Sequence, residues 1–359
     1  MKVACYFNGR TNVGGAERRI SRIMNLIAQQ GVEVTVVFYL YEEIDKIIRE
    51  YESLVGFPVH IKFVGFNSHF QILRYVIKEK FDTIFYTGPY KSMLAFFIGG
   101  LIGGSQTVLL QVSTGPSVRQ FKTKLEMLEF DFVAHLSDRI DCLFPSTRIN
   151  IARRYKRTTV TTTPCPATRL DLFKPLKKKK YLAFVSRWVE GKNIEVFAES
   201  MLLIEDYLYE HGYQVWLCGS SSSGQIEKNV KRIIDKAKYR DIFVIPGYVK
   251  SEDVLPYADV FYSIQDINNY PSQSLLEAIA SGCYIIASDE GDTRSVVKDD
   301  FGVCSSIDPK EIAMKTIEYI EKKQTEKDKI VVAANNFAKE HFDINTSVMH
   351  YKSIIENHC

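Results

Sequence analysis

Two series of short apolar segments, each alternating with stretches of helical periodicity, restrict this chain of 359 residues to the α/β class. The first series begins with a short apolar strand at Lys2–Phe7, a helix at Ala16–Gln30 and a continuous, largely apolar strand at Val32–Leu40, which we predict to be buried. Such apolar runs are typical of parallel strands that helices cover on both faces. The alternation continues to Cys142–Ser146 and predicts a doubly wound sheet.

A second alternating series starts at Tyr181, with further strands at Gln214–Cys218 and Tyr284–Ser288. Between the two series lies Thr158–Pro175, a stretch with three prolines and little periodicity. We interpret this stretch as a crossing between two domains. Ligands of open α/β sheets bind at the carboxyl ends of the strands, so functional residues are expected in the loops that follow the strands.

The net charge of +3 is too small to indicate a nucleic-acid partner. The cations are nevertheless clustered at Arg148–Arg157 and Lys174–Lys180. Such clusters can contact anionic lipid at a membrane surface. They are also typical of a solvated face and a charged linker, and the sequence leaves both interpretations open.

The seven cysteines include no C-x-x-C pair, so the sequence indicates neither a zinc site nor a redox motif. The first residues contain no apolar run of signal-peptide length, and a reducing cytoplasm fits both observations. The longest apolar stretch, Met93–Gly104, is much shorter than a membrane-spanning helix. We predict a buried helix there, and any membrane contact would be from one side.

Two cations follow the strand at Tyr181–Ser186 and precede a helix. Arg187 and Lys192 are therefore expected beside a helix N-terminus at a strand's carboxyl end. A planar guanidinium, a second positive charge and the helix dipole together suit a diphosphate. Taken alone, the same residues are also compatible with two surface cations in a loop.

Two glycine-containing loops add to this pattern. Gly14 and Gly15 end the loop after the first strand and permit close approach of a ligand, although the G-x-G-x-x-G dinucleotide fingerprint is absent. Gly247 follows a later strand, and Tyr248 is placed to lie near a flat base. Taken alone, each segment is also compatible with an ordinary turn.

The segment YPSQSLLEA predicts a helix start, because Pro271 suits the first turn and Ser272 and Ser274 suit capping. Amides of that first turn would face a phosphate, and Glu277 would point back to accept from sugar hydroxyls. An ordinary capped helix with a solvated glutamate is the alternative.

Taken together and in this order, these segments resemble glycosyltransferase family 4. The resemblance covers nearly the whole chain. It rests on GGAER (Gly14–Arg18), RLDLFKP (Arg169–Pro175), SRWVEGKN (Ser186–Asn193), LCGS (Leu217–Ser220), PGYV (Pro246–Val249) and YPSQSLLEAIASGCYIIAS (Tyr270–Ser288).

The resemblance implies a GT-B fold, with two Rossmann-like doubly wound domains facing across a cleft. Residues 1–168 would bind the acceptor, residues 169–340 would bind a nucleotide-sugar, and residues 341–359 would form a helix that packs back on the first domain. It further implies a retaining, metal-independent hexosyltransferase without a cofactor. The donor would be a UDP- or GDP-sugar and the acceptor a lipid-linked saccharide, in cell-surface polysaccharide synthesis such as O-antigen or capsule. The enzyme would be cytoplasmic, at the inner face of the membrane.

Site roles carried over by matching position fall into three groups. The catalytic group is Arg187, Lys192 and Asn269. The donor-binding group is Gly14, Gly15, Gly219, Gly247, Tyr248, Ser272, Ser274, Leu275 and Glu277. The acceptor-binding group is Glu17, Arg18 and Thr114.

The sequence departs from the family pattern at two places. Asn269 stands where the family has a glutamate near the donor sugar, and Asp266 is a candidate to replace part of that role. The loop after Thr107–Val112 lacks the histidine that many relatives place near the acceptor. A retaining reaction in which the leaving phosphate takes the acceptor's proton tolerates this loss.

Two other classes of protein remain open. The missing glutamate and histidine are compatible with a GT-B binding or scaffold subunit that has lost catalysis. A sugar-nucleotide epimerase or a phosphorylase of the same fold is the third interpretation, which the GGAER and LLEA segments disfavour.

Overall fold

The computed structural model describes residues 1–9, 15–55, 58–87, 91–111, 124–164, 169–221, 224–266, 268, 270 and 272–357. The chain divides into two compact units: unit 1 is Met1–Ala167 with Ile344–Cys359, and unit 2 is Thr168–Asp343. The second boundary lies three residues beyond the predicted one. Phe342 is buried, and the centroid of its ring lies 5.6 Å from that of Phe337 in the helix Gln324–His341. This contact attaches the residues just after that helix to unit 2.

Unit 1 contains a sheet of seven parallel strands in the order β3-β2-β1-β4-β5-β6-β7. The strands are β1 (Lys2–Gly9), β2 (Glu33–Leu40), β3 (Lys62–Phe66), β4 (Thr83–Thr87), β5 (Gln106–Gln111), β6 (Arg139–Cys142) and β7 (Thr159–Thr162). The helices are α1 (Gly15–Gln29), α2 (Ile44–Val55), α3 (His69–Glu79), α4 (Lys91–Gly103), α5 (Lys124–Leu136) and α6 (Pro145–Arg154), joined by the C-terminal helix α14 (Ile344–Glu356).

Helices cover both faces of this sheet, as the apolar strands require. Side chains of α1, α2 and α14 form one core with the sheet, and those of α3 to α6 form the other. Tyr351 of α14 is fully buried, with its ring edge-on to Phe85 at 5.7 Å. Next to it, His350 Nε2 lies 3.0 Å from the buried Asp141 Oδ1. Burial opposes ionisation of Asp141, but hydrogen bonds from His350 and two threonines hold its pKa below the usual value.

The predicted inter-domain crossing is wrong over its first residues. Thr159–Thr162 form β7, which pairs with β6 and completes one edge of the unit 1 sheet. The run TVTT is rich in β-branched residues, which favour a strand. Thr161 and Thr163 also donate hydroxyls to Asp141, at 2.7 and 2.5 Å. The crossing is therefore shorter than the proline content indicated.

Unit 2 contains a sheet of six parallel strands in the order β10-β9-β8-β11-β12-β13. The strands are β8 (Tyr181–Val185), β9 (Gln214–Cys218), β10 (Phe243–Gly247), β11 (Ala258–Ser263), β12 (Tyr284–Ser288) and β13 (Gly302–Ser305). The helices are α7 (Ile194–Leu202), α8 (Glu205–Glu210), α9 (Gln225–Ile234), α10 (Gln273–Ala280), α11 (Thr293–Val296), α12 (Pro309–Ile320) and α13 (Gln324–His341).

The strand order of unit 2 is the Rossmann order, with the first strand in the centre and a reversal of winding between β8 and β11. Two neighbouring strands whose crossovers run in opposite directions leave a crevice outside their carboxyl ends. The fold therefore directs attention to the loops after β8 and β11. The helix predicted over Asn193–Glu210 is two helices, α7 and α8, separated at Leu203–Ile204.

None of the helices in the described part of the chain is long and apolar enough to cross a membrane. The apolar stretch that begins at Met93 lies in α4, where Phe96 and Phe97 are fully buried. The predicted buried helix is confirmed for this part. At its C-terminal end, Leu101 and Ile102 are exposed.

Candidate functional site

The loop that joins β8 to α7 carries the two predicted cations. Lys192 is half-buried, and its Nζ donates to Gln265 Oε1 at 2.6 Å. Gln265 follows β11 and is itself buried, and its backbone N–H donates to Ser288 Oγ at 2.9 Å. The amine of Lys192 is thus held between the loops after β8 and β11, where the winding of the sheet reverses.

A backbone hydrogen bond joins the same two loops. The N–H of Asp266 donates to the carbonyl of Gly191 at 3.3 Å, directly beside the Lys192 contact. The side chain of Asp266 is exposed. Its suggested role in place of a glutamate stays a prediction.

The two cations differ in their surroundings. Arg187 is exposed, whereas burial lowers the pKa of Lys192 to about 8, with a further contribution from the positive charge of Arg187. The positive charge of Arg187 opposes protonation of Lys192, and an anion with more than one charge bound next to both cations would relieve this repulsion. A diphosphate is an anion of this kind.

Donor affinity should therefore depend on pH through Lys192, whose pKa is about 8. A diphosphate binds the protonated amine, so we expect the affinity to fall as the pH rises through this value. Titration calorimetry with UDP on both sides of the pKa measures the effect. Lys192→Arg keeps its charge over the whole range and should remove the fall. Equal wild-type affinity on both sides would contradict the assignment.

The first half of the loop is fastened to the neighbouring strand β9. Backbone N–H groups of Ser186 and Trp188 donate to the carbonyls of Cys218 and Ser220, at 3.2 and 3.0 Å. The ring of Trp188 is buried under the loop. These contacts fix the backbone on both sides of Arg187.

Gly219 makes this close packing possible. Its φ is +136°, and a Cβ there would lie 1.9 Å from the carbonyl oxygen of Ser186. The family resemblance predicts that Gly219 binds the donor. In the structure, Gly219 is needed so that the loop after β9 can pack against the loop after β8. The N–H of Gly219 also donates to the carbonyl of Gly247 at 2.8 Å, which connects the ends of β9 and β10.

Gly247 and Tyr248 lie at the carboxyl end of β10, as predicted. Gly247 has a φ of +75°, but a Cβ there would meet no heavy atom of the described residues within 4 Å. The side chain of Tyr248 is 82% exposed, so its ring is accessible for stacking against a flat base. Their assignment to the base of a nucleotide stays a prediction.

Helix α10 begins at the carboxyl edge, after β11. Ser272 occupies the N-cap position, but within the described residues its hydroxyl caps no backbone N–H. It instead lies 3.2 Å from the hydroxyl of Ser274, so the predicted side-chain cap is wrong. Leu275 is buried and can offer only its backbone, while Glu277, one turn into the helix, is half-buried.

Asn268 is a site residue that sequence reasoning missed. Its Oδ1 accepts the backbone N–H groups of Tyr270 and Asp292, at 3.1 and 3.3 Å, and its Nδ2 donates to Asp292 Oδ2 at 3.2 Å. The side chain thus joins the loop before α10 to the loop after β12. Gly291 has to be small there, since a Cβ would lie 2.2 Å from the Asn268 side chain. Gln265 was missed in the same way, because a single polar residue after a strand carries no distinctive pattern.

Several predicted residues cannot be placed. Gly14, Thr114 and Asn269 lie outside the described residues. In unit 1, Gly15 begins α1, and Glu17 is half-buried in its first turn. Arg18 belongs to the same helix, and its side chain is also outside the described set.

A cavity of about 640 Å³ lies beside the β8–α7 loop, lined in part by Trp188, Glu190, Asn193 and Ile226. The described residues that line it include neither cation of the loop and nothing from α10. We therefore define the candidate site by the strand ends and their hydrogen bonds rather than by this cavity. Among the described residues, no group of three or more His, Cys, Asp or Glu could hold a metal ion. The metal-independent mechanism stays a prediction.

Residues 170–336 match the family model described as Glycosyl transferases group 1. The match contains the β8–α7 loop, α10 and both loops that Asn268 joins. No curated protein matches the chain in sequence.

Solved structures resemble the chain over nearly its whole length. Anabaena Alr3699/HepE, in complex with UDP and glucose, has a TM-score of 0.76 at 13% identity, covering 99% of this chain and 100% of that one. A glycosyltransferase from Rickettsia africae has a TM-score of 0.77 at 13% identity, covering 99% and 98%. A TarM mutant from S. aureus, in complex with UDP, Fondaparinux and alpha-GlcNAc-glycerol, has a TM-score of 0.73 at 9% identity, covering 99% of each chain. These similarities confirm the predicted fold of two Rossmann-like doubly wound domains of the GT-B type.

Proposed function

We propose that this protein is a retaining glycosyltransferase that transfers a hexose from a nucleotide-diphosphate sugar to a saccharide acceptor. The acceptor is lipid-linked, and the product enters cell-surface polysaccharide. UDP is the first candidate for the nucleotide, because Alr3699/HepE and TarM were both solved with UDP. GDP is the second, since the sequence does not distinguish the two bases.

One observation carries the proposal. Arg187 and Lys192 both lie in the β8–α7 loop. The amine of Lys192, whose pKa is lowered, contacts Gln265 in the loop after β11. The two cations lie at the reversal point of a Rossmann sheet, within the residues that match the Glycosyl transferases group 1 model. Fixed positive charge at that point suits the diphosphate of a donor.

The proposed reaction requires no side chain to act as a general base. The bond between the sugar's anomeric carbon and the β-phosphate oxygen breaks, and a bond to the acceptor oxygen forms on the same face. The acceptor's proton passes to the departing phosphate. The two cations stabilise negative charge as it develops on the leaving group, which is where preorganised charge accelerates a reaction most.

A thermal-shift screen tests donor binding. A ligand that binds the folded state at 100 times its Kd stabilises it by about 2.7 kcal/mol. We expect UDP or a UDP-sugar to raise the melting temperature, and Arg187→Ala to reduce the rise to about half or less. Lys236→Ala, an exposed cation beyond the end of α9, is the matched control and should keep it. If no nucleoside diphosphate at millimolar concentration changes the melting temperature, the proposal is wrong.

Mass spectrometry of the products separates catalysis from binding. Release of free sugar from the donor, or a hexose added to a saccharide, indicates a transferase. Donor binding without turnover would instead indicate a scaffold subunit. A change of sugar configuration without transfer would indicate an epimerase, and consumption of inorganic phosphate would indicate a phosphorylase.

A further inference from the structure

The outer side of α5 in unit 1 exposes a row of large apolar side chains. They occur at helical spacing, so they form one stripe along the helix. The exposed fractions are 58% for Leu125, 61% for Leu128, 51% for Phe132 and 46% for Leu136. Single exposed apolar residues are normal on protein surfaces, but four in one row mark an interaction surface.

The stripe is not the core side of the helix. Phe130, Val133 and Ala134 are buried in the core beneath the sheet. At 3.6 residues per turn, these three residues lie on the side of α5 opposite to the stripe. The helix is thus apolar on two sides, and the part of the chain that the structure describes covers only one of them.

Helix α6 lies beside α5 and extends the surface. Arg154 forms an ion pair with Asp131 of α5, and the Tyr155 hydroxyl donates to the same carboxylate at 2.6 Å. Both helices connect successive parallel strands, so they run in the same direction. Counted from the contact between Arg154 and Asp131 towards the start of each helix, Leu125 lies about 9 Å along α5 and Ile149 about 7.5 Å along α6, so the two residues are at similar levels. Ile149 is 60% exposed and adds a fifth apolar side chain.

The same part of the chain is strongly basic. Five cations, Arg148, Arg153, Arg154, Lys156 and Arg157, are exposed in or just after α6, and residues 148–157 contain no acidic residue. Among the residues that the structure describes, Arg154 is the only one of these five cations that forms an ion pair, and its partner is Asp131. Apolar side chains next to cations match the two layers of an anionic bilayer surface, its acyl boundary and its headgroups.

We propose that the stripe on α5 and the basic side of α6, together the α5–α6 surface, bind an anionic lipid bilayer from one side. A second copy of the chain is a poorer occupant, because a twofold contact would bring the same basic patch towards itself. The inference rests on the proposed function in one respect, that a lipid-linked acceptor places the enzyme at a membrane. It does not depend on binding of the donor's diphosphate by Arg187 and Lys192, which belong to unit 2.

Vesicle flotation measures this binding directly. Wild-type protein should float with vesicles of phosphatidylcholine containing about 30% phosphatidylserine, and much less with phosphatidylcholine alone. The bound fraction should fall when salt is raised from about 0.1 M to about 0.5 M, because screening weakens contacts between exposed charges and headgroups.

Replacing the stripe tests the apolar part. Leu128→Asp with Phe132→Asp should lower the partition coefficient about a hundredfold or more, since each large side chain contributes about tenfold or more when buried. Met349→Asp is the matched control: Met349 is 72% exposed on α14, which covers the other face of the unit 1 sheet. Met349→Asp should bind the vesicles as well as wild type does.

Replacing the cations tests the electrostatic part. Arg148→Gln, Arg153→Gln and Arg157→Gln together should weaken binding about fivefold for each charge removed. Arg154 is retained because of its ion pair. The control removes three exposed cations of unit 2, Lys231→Gln, Arg232→Gln and Lys236→Gln, and should leave binding unchanged.

Three outcomes would overturn the proposal. Wild type could fail to float at low salt, the stripe variant could float as well as wild type, or light scattering could show a wild-type dimer that the stripe variant converts to a monomer. The last result would assign the surface to self-association. The UDP-induced thermal shift is measured on every variant without vesicles, so that a misfolded variant, or failure of the proposed transferase function, is recognised separately.

Discussion

Replacing Arg187 or Lys192 with alanine should lower kcat for sugar transfer by about 10²–10³, the usual effect of removing one group that stabilises charge developing on a leaving group or oxyanion. The Kd for UDP should rise by about tenfold to a hundredfold, since a charge-assisted hydrogen bond contributes about 1.5–3 kcal/mol. The larger effect falls on kcat, because charge on the diphosphate increases as the bond to the sugar breaks.

Conservative variants show which property matters at each position. Arg187→Lys keeps a charge but loses the planar fork, so we expect it to recover only part of the lost rate. Lys192→Arg keeps the charge, but the larger head must fit beside Gln265, the partner of the native amine. Single-turnover rates and UDP affinity are compared with those of Lys236→Ala. A kcat for Arg187→Ala and Lys192→Ala equal to that of this control would show that the leaving group is stabilised elsewhere.

Gly219→Ala should destabilise unit 2 by about 3–5 kcal/mol, the second large effect. The φ of +136° is a conformation that is costly for any residue with a Cβ, and the added carbon would lie 1.9 Å from the Ser186 carbonyl. Strain and overpacking then act at one position. For a unit of this size, the melting temperature should fall by about 10 °C.

Gly247→Ala is the matched control for this prediction. Gly247 also has a positive φ, +75°, but a Cβ there meets none of the described heavy atoms within 4 Å. Only the backbone cost of about 1–2 kcal/mol remains. Thermal melts of both variants, with and without UDP, measure the difference. Equal losses of stability would mean that contact between the β8 and β9 loops does not explain Gly219.

Two predicted donor residues thus have different physical requirements, although both are glycines that follow a strand. Gly219 is needed to bring the β8–α7 loop against β9, where it fixes the backbone around Arg187. At Gly247 the described heavy atoms leave room for a Cβ, so only its positive φ favours glycine. The sequence shows a glycine in each place, but only the surrounding atoms distinguish them.

The apolar strands and amphipathic helices were sufficient to predict the doubly wound architecture of both units. Strands such as Val32–Leu40 are apolar at most positions, and a parallel sheet covered on both faces buries the greater part of such a segment. The positions of Arg187, Lys192 and Ser274 at the carboxyl edge also follow, because a loop after a parallel strand always lies at that edge. These are local consequences of pattern and chain order.

Three features depended on contacts between distant segments. Lys192 finds Gln265 only because β8 and β11 are neighbours in the sheet, and Asn268 joins Tyr270 to Asp292 only through the packing of two loops. The exposed stripe on α5 could not be predicted from the sequence either. In the sequence Phe130 and Phe132 are alike, and burial of one and exposure of the other follows from which side of the helix meets the sheet. The sequence by itself determined the periods and the order of the elements. The tertiary structure decided which polar side chains meet and which apolar side chains remain uncovered, because both depend on distances between residues that lie far apart along the chain.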